Sequence, residues 1–346
     1  MYTEATLAAD RLSDSMKGNP AIEHLVPWSD EEFRQFGRRF QKTRHRLAET
    51  GLFTDEALAR LIDSYPRHLL QAFVMGVDPE HMEENLPVDT RGVSGADVLE
   101  AVKRGRLWFK LLRIQAWKGP YADLVRRLYE ELSTHVTGFN PLTTGAVLFF
   151  GSTGSQVYYH VDSKPNMLWH IRGRKNFWLY PALDTTLVSQ KCLEDVYNMV
   201  TDEDVPFKDE YDQYGTLFEL APGDALSWPH NSPHRVLVTE GMSVSLGTLH
   251  ETEESVRRTH VICANALLRA KLGVQSPSMS ERGVIPFAKA FMFRAVRRAG
   301  LIRKSAPHKA YKTPYVLDSR GQLGVRQLST PVLTEFAQGP QAAPSA

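Results

Sequence analysis

Cysteine is nearly missing from this sequence. Its 346 residues hold two, Cys192 and Cys263. So few thiols exclude a disulfide-stapled secreted scaffold and a Cys-rich zinc module, and they fit a reducing compartment. A surplus of charge is missing too. Lys and Arg number 41 against 40 Asp and Glu, a formal net charge of +1. That balance argues against a surface built wholly for nucleic acid or for an acidic membrane. Long apolar runs are absent: Ala146–Phe150 is typical of the longest. A bilayer span needs ~20 such residues. The N-terminus, MYTEATLAADRLSDSMKG, has no basic segment leading into an apolar one, so no signal peptide is expected. No internal repeat is seen. The expectation is a cytoplasmic protein with no membrane span and no nucleic-acid partner.

Apolar residues make up 42% of the chain and charged residues 23%, the balance of a globular protein rather than a disordered one. The first 140 residues read as mostly helical. Ser29 and Glu32 form a capping box, predicting a helix from Glu31 to about Glu49 that ends at Gly51. Thr54 caps a second helix that stops at Pro66, and Ser94 a third through Val102. Pro120 sits at the first position of a fourth, with Leu124, Leu128 and Leu132 on one stripe. Leu69–Val77 reads equally as a buried strand or a helix.

After Phe139-Asn140-Pro141 the character changes. Val, Phe, Tyr, Trp and Thr dominate to about Leu249, with Gly and Pro between short segments. Strands are expected at Gly145–Phe150, Gln156–Asp162, Met167–Tyr180, Thr216–Leu220, Ala225–Trp228, His234–Val238 and Met242–Leu249, making a β-sandwich or barrel. Asp184–Asp212 reads as a polar insertion over one end. Helices return at Glu253–Leu272 and roughly Pro286–Ala299. The organisation expected is a helical region 1–140, a β core 141–252 with insertion 184–212, a helical region 253–330 and a flexible tail 331–346. The basic run Arg294, Arg297, Arg298, Arg303 and Lys304 is read as a solvated helix face.

The chemistry is carried by His160-Val161-Asp162. On a strand, i and i+2 project from the same face. An imidazole and a carboxylate side by side are two corners of a 2-His-1-carboxylate triad, which holds non-haem Fe(II) and leaves positions open. The third corner must come from WPHNSPHRV. His234 opens the next strand, with Val236 and Val238 inward. His230 lies in a Pro-bounded turn and reads as a solvated rim residue. In Met167–Tyr180, period-2 alternation puts Lys175 on one face with Trp169, Ile171, Gly173, Phe177 and Leu179. A lone lysine on an apolar face is costly unless an anion pairs it, and a bound dicarboxylate would serve.

HVD, a lysine thirteen residues after Asp162, and WPHNSPHRV together resemble the Fe(II)- and 2-oxoglutarate-dependent oxygenases of the Jumonji-C/cupin-like class. The sub-pattern is similar to that of factor-inhibiting-HIF-type asparaginyl hydroxylases. The resemblance covers about Thr144–Thr248. It implies a double-stranded β-helix, a jelly roll of the cupin kind, with N- and C-terminal helical flanks. It implies His160, Asp162 and His234 as iron ligands and catalytic residues. It implies Lys175 on the distal carboxylate of 2-oxoglutarate, with Asn166 as a further co-substrate contact. Val157 stands where a co-substrate-binding Thr is common, which leaves Tyr158 or Ser245 as substitutes. The implied activity is hydroxylation of an aliphatic C–H in a peptide-like substrate or a small metabolite, with O₂ consumed and succinate and CO₂ released. The presence of Asp162 disfavours halogenation. The C-terminal helices are expected to pack a homodimer. Two other classes stay open: a cupin-type metalloenzyme without 2-oxoglutarate, and a non-catalytic barrel serving as a binding module.

Overall fold

The computed structural model describes residues 22–117, 119–200, 205–275, 277–299 and 308–337. The extreme N-terminus, Arg303, Lys304 and the tail beyond 337, all considered above, lie outside them. The helix starts predicted from caps are observed. Helix α1, Asp30–Gln35, carries the reciprocal Ser29–Glu32 capping box. Helix α2, Asp55–Ser64, starts where Thr54 Oγ1 accepts the Ala57 N–H at 3.2 Å. Helix α3, Gly95–Arg104, is capped by Ser94, and helix α4, Pro120–His135, begins on its proline.

Among the described residues of the first 140, helix is not the dominant structure. Helix α1 ends at Gln35, short of Glu49, and Gly37 follows in the left-handed region with φ 66°. The next segment, Gln41–Arg44, is strand β1, with Gln41 and Thr43 buried and Lys42 and Arg44 exposed. Long-range pairing overrides local helix propensity there. Leu70–Val74 is strand β2, buried throughout. Leu86–Asp89 is β3, and Leu107–Leu112 is β4. Segments this short do not declare their period, so only the pairing decides.

The core strands follow: β5 (Thr143–Gly151), β6 (Gln156–His160), β7 (Asn166–Leu179), β8 (Thr216–Leu220), β9 (Asp224–Ser227) and β10 (His234–Glu251). The two strands expected in the last span are one long strand. Strands β7 and β10 pair antiparallel along their lengths and serve both layers of the barrel. Residues 234–237 of β10 pair with β6, and residues 175–179 of β7 pair with β8. Those halves make the smaller sheet, β6-β10-β7-β8. Residues 243–251 of β10 pair with β5, and residues 167–169 of β7 pair with β9. Those halves make the larger sheet, which begins β1-β9-β7-β10-β5 and continues through β4, β2 and β3. The result is a two-layered jelly roll of the cupin kind.

The change of layer happens at glycines. Gly173 of β7 has φ 76° and Gly241 of β10 has φ 66°, and the β7–β10 register shifts between them. A Cβ on Gly173 would lie 2.8 Å from the Met242 carbonyl oxygen, so the backbones approach too closely for any other residue. This bulge corrects the alternation expected for Met167–Tyr180. Trp169 and Ile171 belong to the outer core with Trp28, Phe109 and Phe150. Leu168, Phe177 and Leu179 share the barrel interior with Leu226, Trp228 and Val236. The extra residue flips the face, so Lys175 points the same way as His170 rather than Trp169.

The polar insertion contains helix α5, Gln190–Tyr197, rather than loop alone. Its Leu193, Val196 and Tyr197 are buried with Ile262 and Cys263 of helix α6, Glu253–Leu272. Glu194 of α5 pairs with Arg269 of α6 at 2.8 Å. Helix α6 has the predicted bounds and ends at Gly273 with φ 69°. Helix α7, Val284–Arg298, follows. No helix among the described residues is long and apolar enough to cross a membrane. Cys192 and Cys263 are free thiols.

The helical region expected to run to 330, with a loose tail after it, is corrected by strands β11 (His308–Leu317) and β12 (Val325–Ala337). This hairpin extends the larger sheet, β11 pairing parallel to β3. The hairpin carries two prolines, Pro314 and Pro331. Pro314 falls at a register shift, between Thr313↔Val332 and Tyr315↔Gln327, and β12 is an edge strand. Bulges and edges are where a sheet tolerates proline.

Candidate metal centre

His160 ends β6 and His234 opens β10, and the two are register partners in the smaller sheet. Their rings lie 4.0 Å apart between centroids. Asp162 follows His160 by two residues. Its Oδ1 stands 3.9 Å from His160 Nε2, and its Oδ2 stands 3.3 Å from His234 Nε2. One donor atom from each residue falls within 4.8 Å of the others, and among the described residues this is the one such group of three.

The hydrogen bonds behind the rings decide what they can do. His160 Nδ1 lies 2.8 Å from the Tyr158 carbonyl, and His234 Nδ1 lies 3.1 Å from the Ser232 carbonyl. A carbonyl only accepts, so each Nδ1 carries the proton and each Nε2 presents its lone pair to the centre. Burial holds the His234 imidazole well below its usual pKa, with the neighbouring His160 adding to the effect, so it stays neutral. Burial also raises the Asp162 carboxyl, opposed by His160 and by the Asn166 amide, which donates to Asp162 Oδ2. Two imidazole nitrogens and a carboxylate converging on one face suit a ferrous ion and leave the opposite face open. The Phe177 ring stacks on His234 at 5.3 Å and Trp228 packs at 5.0 Å, fixing the imidazole from behind.

Deeper in the barrel lies Lys175, 2% exposed. It shares a face with Phe177, two residues on, so it sits about 7 Å along the strand from the ring that stacks on His234. Its Nζ donates to Ser245 Oγ at 2.7 Å. Ser245 in turn meets His170 Nδ1 at 3.0 Å, and His170 Nε2 lies 2.9 Å from the Gly173 carbonyl. Each proton has one consistent place: His170 donates through Nε2, accepts from Ser245 through Nδ1, and Ser245 accepts from Lys175. No carboxylate among the described residues pairs with Lys175. Burial alone brings its pKa down to about 7, and burial with the Lys175 charge brings that of His170 down to about 2.

The cupin-like domain model matches residues 7–255 of the chain. The chain belongs to the cupin-like family. Solved structures similar to this cupin-like protein include Escherichia coli YcfD, 14% identical over 79% of this chain and 68% of that one, with a TM-score of 0.47. A second YcfD structure is described as a ribosomal oxygenase in complex with cobalt and 2-oxoglutarate. It is 14% identical over 79% of this chain and 67% of that one, with a TM-score of 0.45. The DMSP lyase DddQ of Ruegeria pomeroyi matches at 12% identity over 32% of this chain and 40% of that one, with a TM-score of 0.21. No curated protein sequence matches the chain.

Of the site residues read from the sequence, the cupin-like barrel brings His160, Asp162 and His234 together, sets Asn166 against Asp162, and joins Lys175 to Ser245. Tyr158 is buried and enters the centre through its carbonyl. His230 is not a solvated rim residue. Its Nε2 lies 3.1 Å from the Ser163 carbonyl and 3.0 Å from the Tyr197 hydroxyl, and burial lowers its pKa to about 3. Sequence reasoning missed His170, because strict alternation placed it opposite Lys175. Gly173 between them was the available signal. It also missed Tyr197 and Asn231, which no local pattern connects to Asp162.

Proposed function

We propose that this cupin-like protein is an Fe(II)- and 2-oxoglutarate-dependent oxygenase that hydroxylates an aliphatic C–H of a peptide, an amino-acid-like side chain or a small metabolite. The reading rests on one observation above all: Lys175 is a buried amine with no carboxylate paired to it among the described residues, inside the same barrel as a two-histidine, one-carboxylate donor set. Iron(II), when bound, supplies the oxidising chemistry by which O₂ and 2-oxoglutarate become CO₂, succinate and one hydroxyl on the substrate.

The chain's own residues position and exclude. His160 and His234 offer Nε2 because their Nδ1 protons are committed to backbone carbonyls. Asp162 offers its carboxylate, oriented by the Asn166 amide. Lys175, steadied by Ser245 Oγ, receives the distal carboxylate of 2-oxoglutarate through a charge-assisted hydrogen bond. The keto-acid end is thereby aimed along the barrel towards the donor set. Phe177, Trp228 and Leu179 keep water from the space between.

A cytoplasmic setting, which keeps iron ferrous and Cys192 and Cys263 reduced, is part of the proposal. So is a homodimer through α6 and α7, supported by Phe287 and Phe291, which stand 65% and 76% exposed on α7.

The test is an anaerobic titration of metal-free protein with Fe(II) and then 2-oxoglutarate. A visible charge-transfer band that is lost in Lys175→Ala supports the reading. Iron binding with no band would favour a cupin-type enzyme that does not use 2-oxoglutarate. No metal binding at all would leave the barrel as a scaffold and sink the proposal.

A further inference from the structure

The turn that precedes His234 is tied to the loop that carries Asp162, and the tie runs through the insertion. Asn231 is 4% exposed, so its amide is spent inside the protein. Its Nδ2 donates to the backbone carbonyl of Asp162 at 3.1 Å. The Tyr197 hydroxyl stands 3.2 Å from Asn231 Oδ1 and 2.9 Å from Nδ2. Tyr197 belongs to α5, in the insertion. The neighbouring His230 holds the next carbonyl, that of Ser163, at 3.1 Å, and also meets the Tyr197 hydroxyl at 3.0 Å. The Ser163 carbonyl only accepts, so His230 Nε2 bears the proton, and the Tyr197 hydroxyl donates to Asn231 Oδ1. Two consecutive backbone carbonyls, at the Asp corner of the centre, are therefore gripped by two consecutive side chains from the His corner.

The backbone is bent to make this grip. Asn231 has φ 67°, a left-handed conformation that asparagine tolerates better than most residues. The site spends this strain on a residue whose amide reaches a carbonyl, where a glycine would have met the backbone requirement alone. Arg258 of α6 adds a contact at 3.4 Å to the His230 carbonyl, joining the C-terminal helix to the same turn.

We propose that Asn231 and Tyr197 are positioning residues that hold Asp162 in register with His234, so that the metal centre is preformed and its affinity is set partly by the insertion helix. The inference rests on the reading of His160, Asp162 and His234 as a metal site. A carboxylate ligand on an unsupported loop must be ordered when the ion binds, and that ordering weakens binding. Loss of groups that orient ligands typically costs about 10–100-fold in metal affinity.

The experiment titrates the metal-free full chain with Co(II) alone and follows the visible d–d bands, which report both affinity and coordination number. Two variants are compared with the natural chain. Asn231→Gly keeps the left-handed backbone and removes only the amide. Tyr197→Phe removes only a hydroxyl from a packed ring. The expected result is Co(II) binding weakened about 10–100-fold in Asn231→Gly and several-fold in Tyr197→Phe, with altered band intensities. A double variant should lose little more than Asn231→Gly, because the two act in one chain of hydrogen bonds. If both variants bind Co(II) like the natural chain while their melting temperatures fall, the residues are merely structural and the positioning role is overturned. If the natural chain itself binds no Co(II), the metal site is overturned and the positioning role falls with it.

Discussion

Lys175 shows what a single residue can cost a fold. Burial lowers its pKa from an ordinary value of 10.5 to about 7 in the folded chain, and its titratable neighbour His170 stays neutral throughout this range. Between those values the unfolded chain binds the extra proton, so stability rises with pH from about 7 towards 10.5. Below about pH 7 both states are protonated and the cost is felt in full. Lys175→Met is expected to stabilise the metal-free protein by on the order of 1–3 kcal/mol near neutral pH and to flatten this pH dependence. Urea unfolding at several pH values measures both; a variant less stable than the natural chain would show that the lysine supports the fold. The same residue ties co-substrate binding to protons. Above about pH 7 the free protein holds Lys175 neutral, while the dicarboxylate requires the ammonium. Binding of 2-oxoglutarate at about pH 8 should therefore take up close to one proton. Calorimetry in buffers of different ionisation heat reads that number directly, and no uptake would mean that Lys175 does not meet the carboxylate.

Among the elements, β7 decides the site. Its bulge at Gly173 turns the strand from the larger sheet to the smaller and brings His170, Ser245 and Lys175 into one line. Gly173→Ala meets both a left-handed backbone and a carbonyl 2.8 Å from the new methyl. We expect a destabilisation of about 1–3 kcal/mol, with weaker 2-oxoglutarate binding in the fraction that stays folded. Thermal melts and a binding titration together separate the two effects. Element by element, legibility followed the locality of the signal. Helices α2, α3, α4 and α6 are legible from a cap, a first-position proline with a leucine stripe, or a stopping residue, because those signals lie within a few residues. Strands β1, β11 and β12 were missed, because each exists through a partner far away in the chain: β9 for β1, and β3 for the β11–β12 hairpin. Helix α5 is hidden in what reads as a polar insertion, because its packing face is completed only by α6.

For the whole molecule, the apolar face of α7 is the feature that a monomer leaves open. Phe287 and Phe291 lie one turn apart on the side away from buried Pro286, Ala290 and Phe293. Replacing both by Glu should convert the proposed dimer to monomer without loss of the Co(II) bands, as read by light scattering on a sizing column. A natural chain that is monomeric at all concentrations would remove the dimer from the proposal. The sequence by itself determined the chemistry that the barrel could hold. HVD on one strand, a histidine opening a later strand and a lysine on an apolar stretch are local patterns, and side-chain direction on a strand repeats every two residues. Only the tertiary structure decided which way β7 faces after Gly173, and that His230, Asn231 and Tyr197 meet at Asp162. Those depend on contacts between segments tens of residues apart, and a periodicity carries no information about what lies across the barrel.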